Sequence, residues 1–157
     1  MSRVVIALGS NLGDRHAAID FAVRHLSRYL TGLSLSGLVE TEPEGEDVED
    51  QPLYLNAIVV GETDLGARDL LEAILAIEQA YGRQRPAPNA ARTLDLDLIM
   101  LGDDVIDAPG LQVPHPRFRD RFFVLGPLAE IAPDLVDPVT GLKAWELLRN
   151  LLRDEGR

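Results

Sequence analysis

The stretch Arg92-Thr93-Leu94-Asp95-Leu96-Asp97-Leu98-Ile99-Met100-Leu101, RTLDLDLIML, decides how the rest of the chain is read. An apolar run of this length reads as a buried strand. Strand alternation then sends Leu94, Leu96 and Leu98 to one side and Asp95 and Asp97 together to the other. Two like charges side by side on a sheet repel each other and lose hydration, a cost that cations relieve. Mg²⁺ suits such a pair, because it takes a few hard oxygens from protein and completes its shell with water and substrate phosphates. A bare Asp-x-Asp is more often a strand end standing in water, so the surroundings decide.

Upstream, Arg83, Arg85 and Arg92 lie in a stretch with no acidic residue between Glu78 and Asp95, and a second basic knot, Arg117, Arg119 and Arg121, follows His115. The chain carries 26 acidic against 15 basic residues, a net charge of −11, so these clusters stand against the global field. Guanidinium forks suit phosphate oxygens. Arginines running into a two-Asp strand point to a metal-complexed polyphosphate.

Outward from that strand, the order of elements is alternating. Val4 to Leu8 is a short apolar strand, and Asp14 can cap a helix running to Leu30, with Ile19, Ala22, Val23 and Leu26 at helical spacing. Leu33 to Val39 alternates as a second strand, and Tyr54 to Val60 makes a third. Ala67 to Tyr81 is a second amphipathic helix with Gly82 as its stop. The Asp-x-Asp strand closes a β-α-β-β-α-β order, the split βαβ of the α+β, ferredoxin-like class with an antiparallel sheet. A C-terminal extension follows: a helix near Phe122 to Ile131, turns at Pro133-Asp134 and Asp137-Pro138, and a last helix from Lys143 to Arg153. Three connections are long, 41–52, 82–93 and 102–121, and long connections are where function concentrates. Within the first, the seven residues 44–50 hold five acids, Glu44, Glu46, Asp47, Glu49 and Asp50, as a solvated segment or a lid over a ligand.

At 157 residues with 46% hydrophobic content the chain is one domain, 1–157, with a proper core. No cysteine is present, which excludes disulfides, zinc-thiolate sites and cysteine nucleophiles. No apolar run approaches the roughly 20 residues of a membrane span, and Met1 leads into Arg3 to Leu8 without a signal-peptide pattern, so a cytoplasmic protein is expected. Acidic balance and few aromatics argue against nucleic acid as a partner.

Several stretches in one order resemble the 6-hydroxymethyl-7,8-dihydropterin pyrophosphokinase family, HPPK, of folate biosynthesis. They are IALGSNLGDR at Ile6 to Arg15, TEPEG at Thr41 to Gly45, QPLYLNA at Gln51 to Ala57, IEQAYGRQR at Ile77 to Arg85, RTLDLDLIMLG at Arg92 to Gly102, and VPHPRFRDRFFVLGPLAEIAP at Val113 to Pro133. The resemblance implies a ferredoxin-like core extended to three layers, α/β/α, and an enzyme that moves pyrophosphate from ATP onto the hydroxymethyl group of the pterin, releasing AMP. It implies that Asp95 and Asp97 bind two Mg²⁺ ions. Arg83, Arg85 and Arg92 match catalytic arginines around the phosphates, and Glu78, Leu98, His115 and Arg121 complete the ATP site with them. On the pterin side it implies Thr41, Pro43 and Glu44 along the pocket and Tyr54, Asn56 and Phe123 around the ring. A flat heterocycle wants two stacking rings and a group offering donor and acceptor, and an amide inside YLNAIVV is costly unless it finds a partner. ATP and the pterin are the expected partners of a monomer.

The chain departs from the family pattern at Pro88-Asn89-Ala90-Ala91, where a basic residue, a small residue and Pro are common and some members carry Trp at Asn89. It departs again at Leu75 and Pro116, where some members carry Gln and Tyr. Other readings are an RNA-binding module, a non-catalytic small-molecule sensor, and a γ-phosphoryl kinase. The first wants exposed strand aromatics and basic charge, the second has no use for Asp95, Asp97 and the arginines together, and the third lacks a Walker motif.

Overall fold

The computed structural model describes residues 1–42, 52–83 and 94–155, with the side chains of Arg83 and Glu155 outside the description. Its elements are β1 (Ser2–Ser10), α1 (Arg15–Leu26), β2 (Thr31–Leu35), β3 (Val39–Thr41), β4 (Tyr54–Thr63), α2 (Ala67–Arg83), β5 (Asp95–Leu101), β6 (Ile106–Ala108), β7 (Leu111–Val113), α3 (Phe122–Ile131) and α4 (Ala144–Glu155). A 3₁₀ turn over Phe118–Asp120 precedes α3. The main sheet runs β2-β4-β1-β5 with β3 also paired to β4, and every described pairing is antiparallel.

Helices cover both faces. Alternation along β1 separates two cores: Val4, Ile6 and Leu8 meet Ile19, Ala22 and Leu26 of α1 and Leu70, Ile74 and Ile77 of α2. Val5 on the other face, with Ile58 and Val60 of β4, meets Val124, Leu125 and Leu128 of α3 and Ala144 and Leu147 of α4. The central strands are therefore apolar on both sides, as a doubly covered sheet requires.

Several boundaries differ from the sequence reading. α1 is capped by Asp14, which accepts from the Ala17 N–H at 3.0 Å, as expected. It ends at Leu26, not Leu30, because Ser27 turns the chain and donates to the Arg24 carbonyl at 2.6 Å. Leu30 still reaches the core. The second expected strand is two pieces. Ser36 interrupts it by accepting the Ile58 N–H on its hydroxyl at 2.8 Å, and the Gly37 N–H goes to Glu130 of α3 at 3.2 Å. α2 runs through Gly82 to Arg83 rather than stopping at the glycine. The connection after β5 contains the β6–β7 hairpin, whose three-residue strands are too short to show a period; only Pro109-Gly110, with Gly110 at φ 74°, signals its turn. β5 itself carries a bulge: Ile6 pairs with Leu98 and Val5 with Met100, leaving Ile99 as the extra residue. Both Ile99 and Met100 therefore join the α3/α4 core. The carbonyl of Ile99 accepts the His115 N–H at 2.8 Å and ties the following segment to the strand.

Candidate active site

The α3/α4 face of the sheet is apolar at one end and polar at the other. Along β4 that face reads Val60, Ile58, Asn56, Tyr54, and along β5 it reads Ile99, Asp97, Asp95. On β1 between them it shrinks from Val5 through Ala7 to Gly9. Asn56, Gly9 and Asp95 lie in one row across the three strands, since Gly9 pairs with both neighbours. The small residues on the middle strand leave a cavity of about 350 Å³ under the start of α3. It is bounded by Gly9, Thr41, Tyr54, Asn56, Glu78, Asp95, Asp97, Arg121 and Phe123. A Cβ at Gly9 would stand 3.3 Å from Asn56 Oδ1 and 3.5 Å from Tyr54 Cδ1, so the ring crosses β1 only because that strand has no side chain there.

Electrostatics in this cavity is dominated by carboxylates. Partial burial and the charge of Asp97 push the Asp95 carboxyl above its usual range, partly offset by the Tyr54 hydroxyl, which donates to it. Burial and the charge of Asp95 raise Tyr54. Glu78 on α2 is raised by burial and by Asp95 and Asp97, against the Leu96 N–H that donates to its Oε2 at 2.8 Å. Charge repulsion of this kind is what a bound cation relieves. Among the described residues no group of three or more His, Cys, Asp or Glu side chains is arranged to hold a metal. Asp95 and Asp97 are the pair that can hold one: two hard oxygen donors facing open space, with the remaining shell left to ligand and water, as suits Mg²⁺.

A second cavity, about 650 Å³, opens on the opposite side of the edge strand β5. Leu71 of α2, Leu96 and Leu98 of β5, the β6–β7 hairpin and His115 bound it. Asp97 is the residue common to both cavities among those described. His115 accepts the Arg117 N–H on Nδ1 at 3.1 Å, which calls for a neutral ring with its proton on Nε2. Burial, reinforced by Arg121 and Arg117 and opposed by Asp97, holds its pKa below the usual histidine value.

The expected residues thus divide. Thr41, Tyr54, Asn56, Glu78, Asp95, Asp97, Arg121 and Phe123 line the first cavity, and Leu98 and His115 line the second. Pro43, Glu44, Arg85 and Arg92 lie outside the described residues, and Arg83 closes α2 with its side chain undescribed. The basic knot after His115 is split: Arg119 forms a two-point pair with the fully buried Asp137, at 2.6 and 3.0 Å, and belongs to the packing of the α3–α4 connection. Ala7, Gly9 and the hairpin residues Asp107 to Gln112 were not anticipated. Small residues at alternate positions of a buried strand are the signal for the first two; the hairpin has none beyond Pro109-Gly110. Asn56 is also less open than an isolated strand amide, for its Nδ2 donates to Thr41 Oγ1 at 2.7 Å and to the Val39 carbonyl at 3.3 Å.

Fold and cleft define a small α+β protein with two cavities that meet at one acidic strand edge. The model of the family described as 7,8-dihydro-6-hydroxymethylpterin-pyrophosphokinase matches residues 5–133, and the chain belongs to that family. It is 40% identical over 137 residues to the 2-amino-4-hydroxy-6-hydroxymethyldihydropteridine pyrophosphokinase of Pseudomonas aeruginosa, covering 86% of this chain and 83% of that one. To the protein of the same name from Bacillus subtilis it is 39% identical over 150 residues, 90% and 89% of the two chains. A solved Plasmodium falciparum HPPK-DHPS wild-type structure is similar with a TM-score of 0.73 at 16% identity, over 97% of this chain and 45% of that one. That likeness concerns the fold alone, and the chain spans less than half of the solved one.

Proposed function

We infer that the two cavities are the acceptor and donor halves of one active site. The reaction is pyrophosphoryl transfer from ATP to 6-hydroxymethyl-7,8-dihydropterin in folate biosynthesis. The observation that carries the assignment is the position of Asp97, which borders both cavities from the edge of β5. In this reading the nucleotide base and sugar sit against Leu71, Leu98 and the hairpin, and the triphosphate crosses the strand edge past His115. The pterin lies in the first cavity with Tyr54 and Phe123 beside its ring and Asn56 at its polar edge. Asp95 and Asp97 would hold two Mg²⁺ ions, which when bound would supply neutralisation of phosphate charge.

The chain's own groups then have separable tasks. Asp95 and Asp97 hold the cations, and the Tyr54 hydroxyl keeps the Asp95 carboxylate oriented. Glu78, fastened to the Leu96 N–H, adds negative charge that sharpens the site's preference for cations. The Nε2–H of a neutral His115 donates to a phosphate oxygen, and Arg121, on the wall of the first cavity, adds a cation near His115. Arg83, Arg85 and Arg92 complete the proposal as phosphate-binding cations on the strength of the family motif. Catalysis is then positioning and charge neutralisation rather than proton abstraction by a dedicated base.

Supporting a ferredoxin-like core is the strand order β2-β4-β1-β5 with one helix after β1 and one before β5. One domain over 1–157 fits two cores that share one sheet, and no described helix is long and apolar enough to cross a membrane. The proposal includes a cytoplasmic location and a monomeric state, the latter tested by sedimentation of the purified chain. Product analysis tests the chemistry: AMP and the pterin diphosphate from ATP plus hydroxymethyl-dihydropterin are expected only with Mg²⁺ present. ADP would indicate γ-phosphoryl transfer, and binding without turnover would indicate a sensor.

A further inference from the structure

Arg15, the first residue of α1, borders neither cavity, yet its guanidinium makes two contacts that converge on the first. Nη2 meets Glu40 Oε1 of β3 at 2.7 Å, and Nη1 donates to the Leu53 carbonyl at 3.0 Å. Leu53 immediately precedes Tyr54. Glu40 sits between Val39 and Thr41, whose carbonyl and hydroxyl receive the two bonds from Asn56 Nδ2. One planar fork therefore ties Leu53, the neighbour of Tyr54, to Glu40, the neighbour of both acceptors of the Asn56 amide. The amide it stabilises has a defined polarity: both hydrogens are spent inside the protein, and Oδ1 faces the space above Gly9.

We propose that Arg15 is a positioning residue for the acceptor substrate. By clamping β3 to the start of β4 it holds Asn56 with its carbonyl oxygen toward the cavity, which thereby selects a flat heterocycle presenting N–H donors along that edge. This rests on the reading of the first cavity as the pterin pocket. Two acceptors lying in different directions need the rigid fork of arginine, and a lysine reaches one of them. The Arg15–Glu40 pair is half-exposed, 25% and 51% for the two side chains. Such pairs contribute little to global stability, so its loss acts locally.

The test uses the full chain with Arg15→Gln, Arg15→Lys and Glu40→Gln. Arg15→Gln is expected to raise KM for hydroxymethyl-dihydropterin about five- to tenfold while kcat and KM for Mg-ATP stay within about twofold. Arg15→Lys recovers part of the loss, and Glu40→Gln adds little to Arg15→Gln when the two are combined. In ligand-free protein the Asn56 side-chain amide NMR signals shift in Arg15→Gln, while Tm changes by less than about 2 °C. A pterin KM within about twofold of the parent, a parallel rise in KM for ATP, or unshifted Asn56 signals would overturn the proposal. Absence of AMP formation by the parent chain would instead defeat the functional reading, and the Asn56 signals, which need no substrate, decide the clamp in either case.

Discussion

Replacing Gly9 by alanine tests whether the first cavity is a ligand site or an accident of packing. The new methyl would stand 3.3 Å from Asn56 Oδ1 and 3.5 Å from Tyr54 Cδ1. It raises the cavity floor by roughly 1.5 Å, one carbon–carbon bond. Gly9 sits at ordinary φ, outside the positive-φ glycines, so the backbone accepts alanine. Reduced freedom of the unfolded chain contributes about 0.4–1 kcal/mol of stability, which offsets the tight contact with Asn56. Folding should therefore be nearly unchanged. A bound ring meets the methyl directly and also meets a displaced Tyr54. Overpacking of this kind costs about 1–3 kcal/mol, which corresponds to a roughly five- to 150-fold loss of pterin affinity. Gly9 does not border the second cavity, so the affinity for Mg-ATP should hold. Isothermal titration of each ligand, alongside a thermal melt, reads all three quantities. Unchanged pterin affinity in a folded Gly9→Ala protein would refute the assignment of the first cavity.

Asp95→Asn should abolish turnover yet raise Tm of the ligand-free protein at neutral pH by about 1–3 °C, a modest gain because solvent still reaches the partly buried carboxyl and screens it. The folded pKa of Asp95 is raised, so its favourable contribution is complete below the ordinary aspartate value and lost as pH rises through the raised one. The advantage of the variant should accordingly vanish in acid, and melts from acidic to neutral pH check this. Asn56→Leu removes the Oδ1 acceptor that faces the first cavity and should weaken pterin binding by about five- to 150-fold, leaving Mg-ATP binding intact; titration of each ligand decides it. Asp137→Ala strips Arg119 of a buried partner and should cost about 3–5 kcal/mol in chemical denaturation. Because the Arg119, Val139 and Thr140 hydrogen bonds hold Asp137 below the usual carboxylate range against its burial, that stabilisation is present above the ordinary value and fades as pH falls through the lowered one. Loss of activity in Asp137→Ala without loss of stability would mean that the pair acts on the site directly.

Much of this protein was legible in the order of its residues because the relevant information is periodic or local. Period-two alternation in RTLDLDLIML put Asp95 and Asp97 on one face, helical spacing located both helices of the first core, and Asp14 marked the start of α1. An amide within an apolar strand announced Asn56 as a residue needing partners. What alternation cannot tell is which strands become neighbours. Only pairing of Gly9 with both Asn56 and Asp95 shows that a missing side chain on β1 opens the cavity between them. The fate of the arginines after His115 is likewise a matter of long-range pairing: Arg119 is claimed by Asp137, eighteen positions away, while Arg121 reaches the cavity. The split of β2 from β3 depends on a serine hydroxyl meeting a strand 22 positions on, and the β6–β7 hairpin is too short to have a period. Sequence alone determines which way a side chain points from its own element. Which distant side chain it meets is decided by packing and register, because those energies exist only once the sheet has assembled.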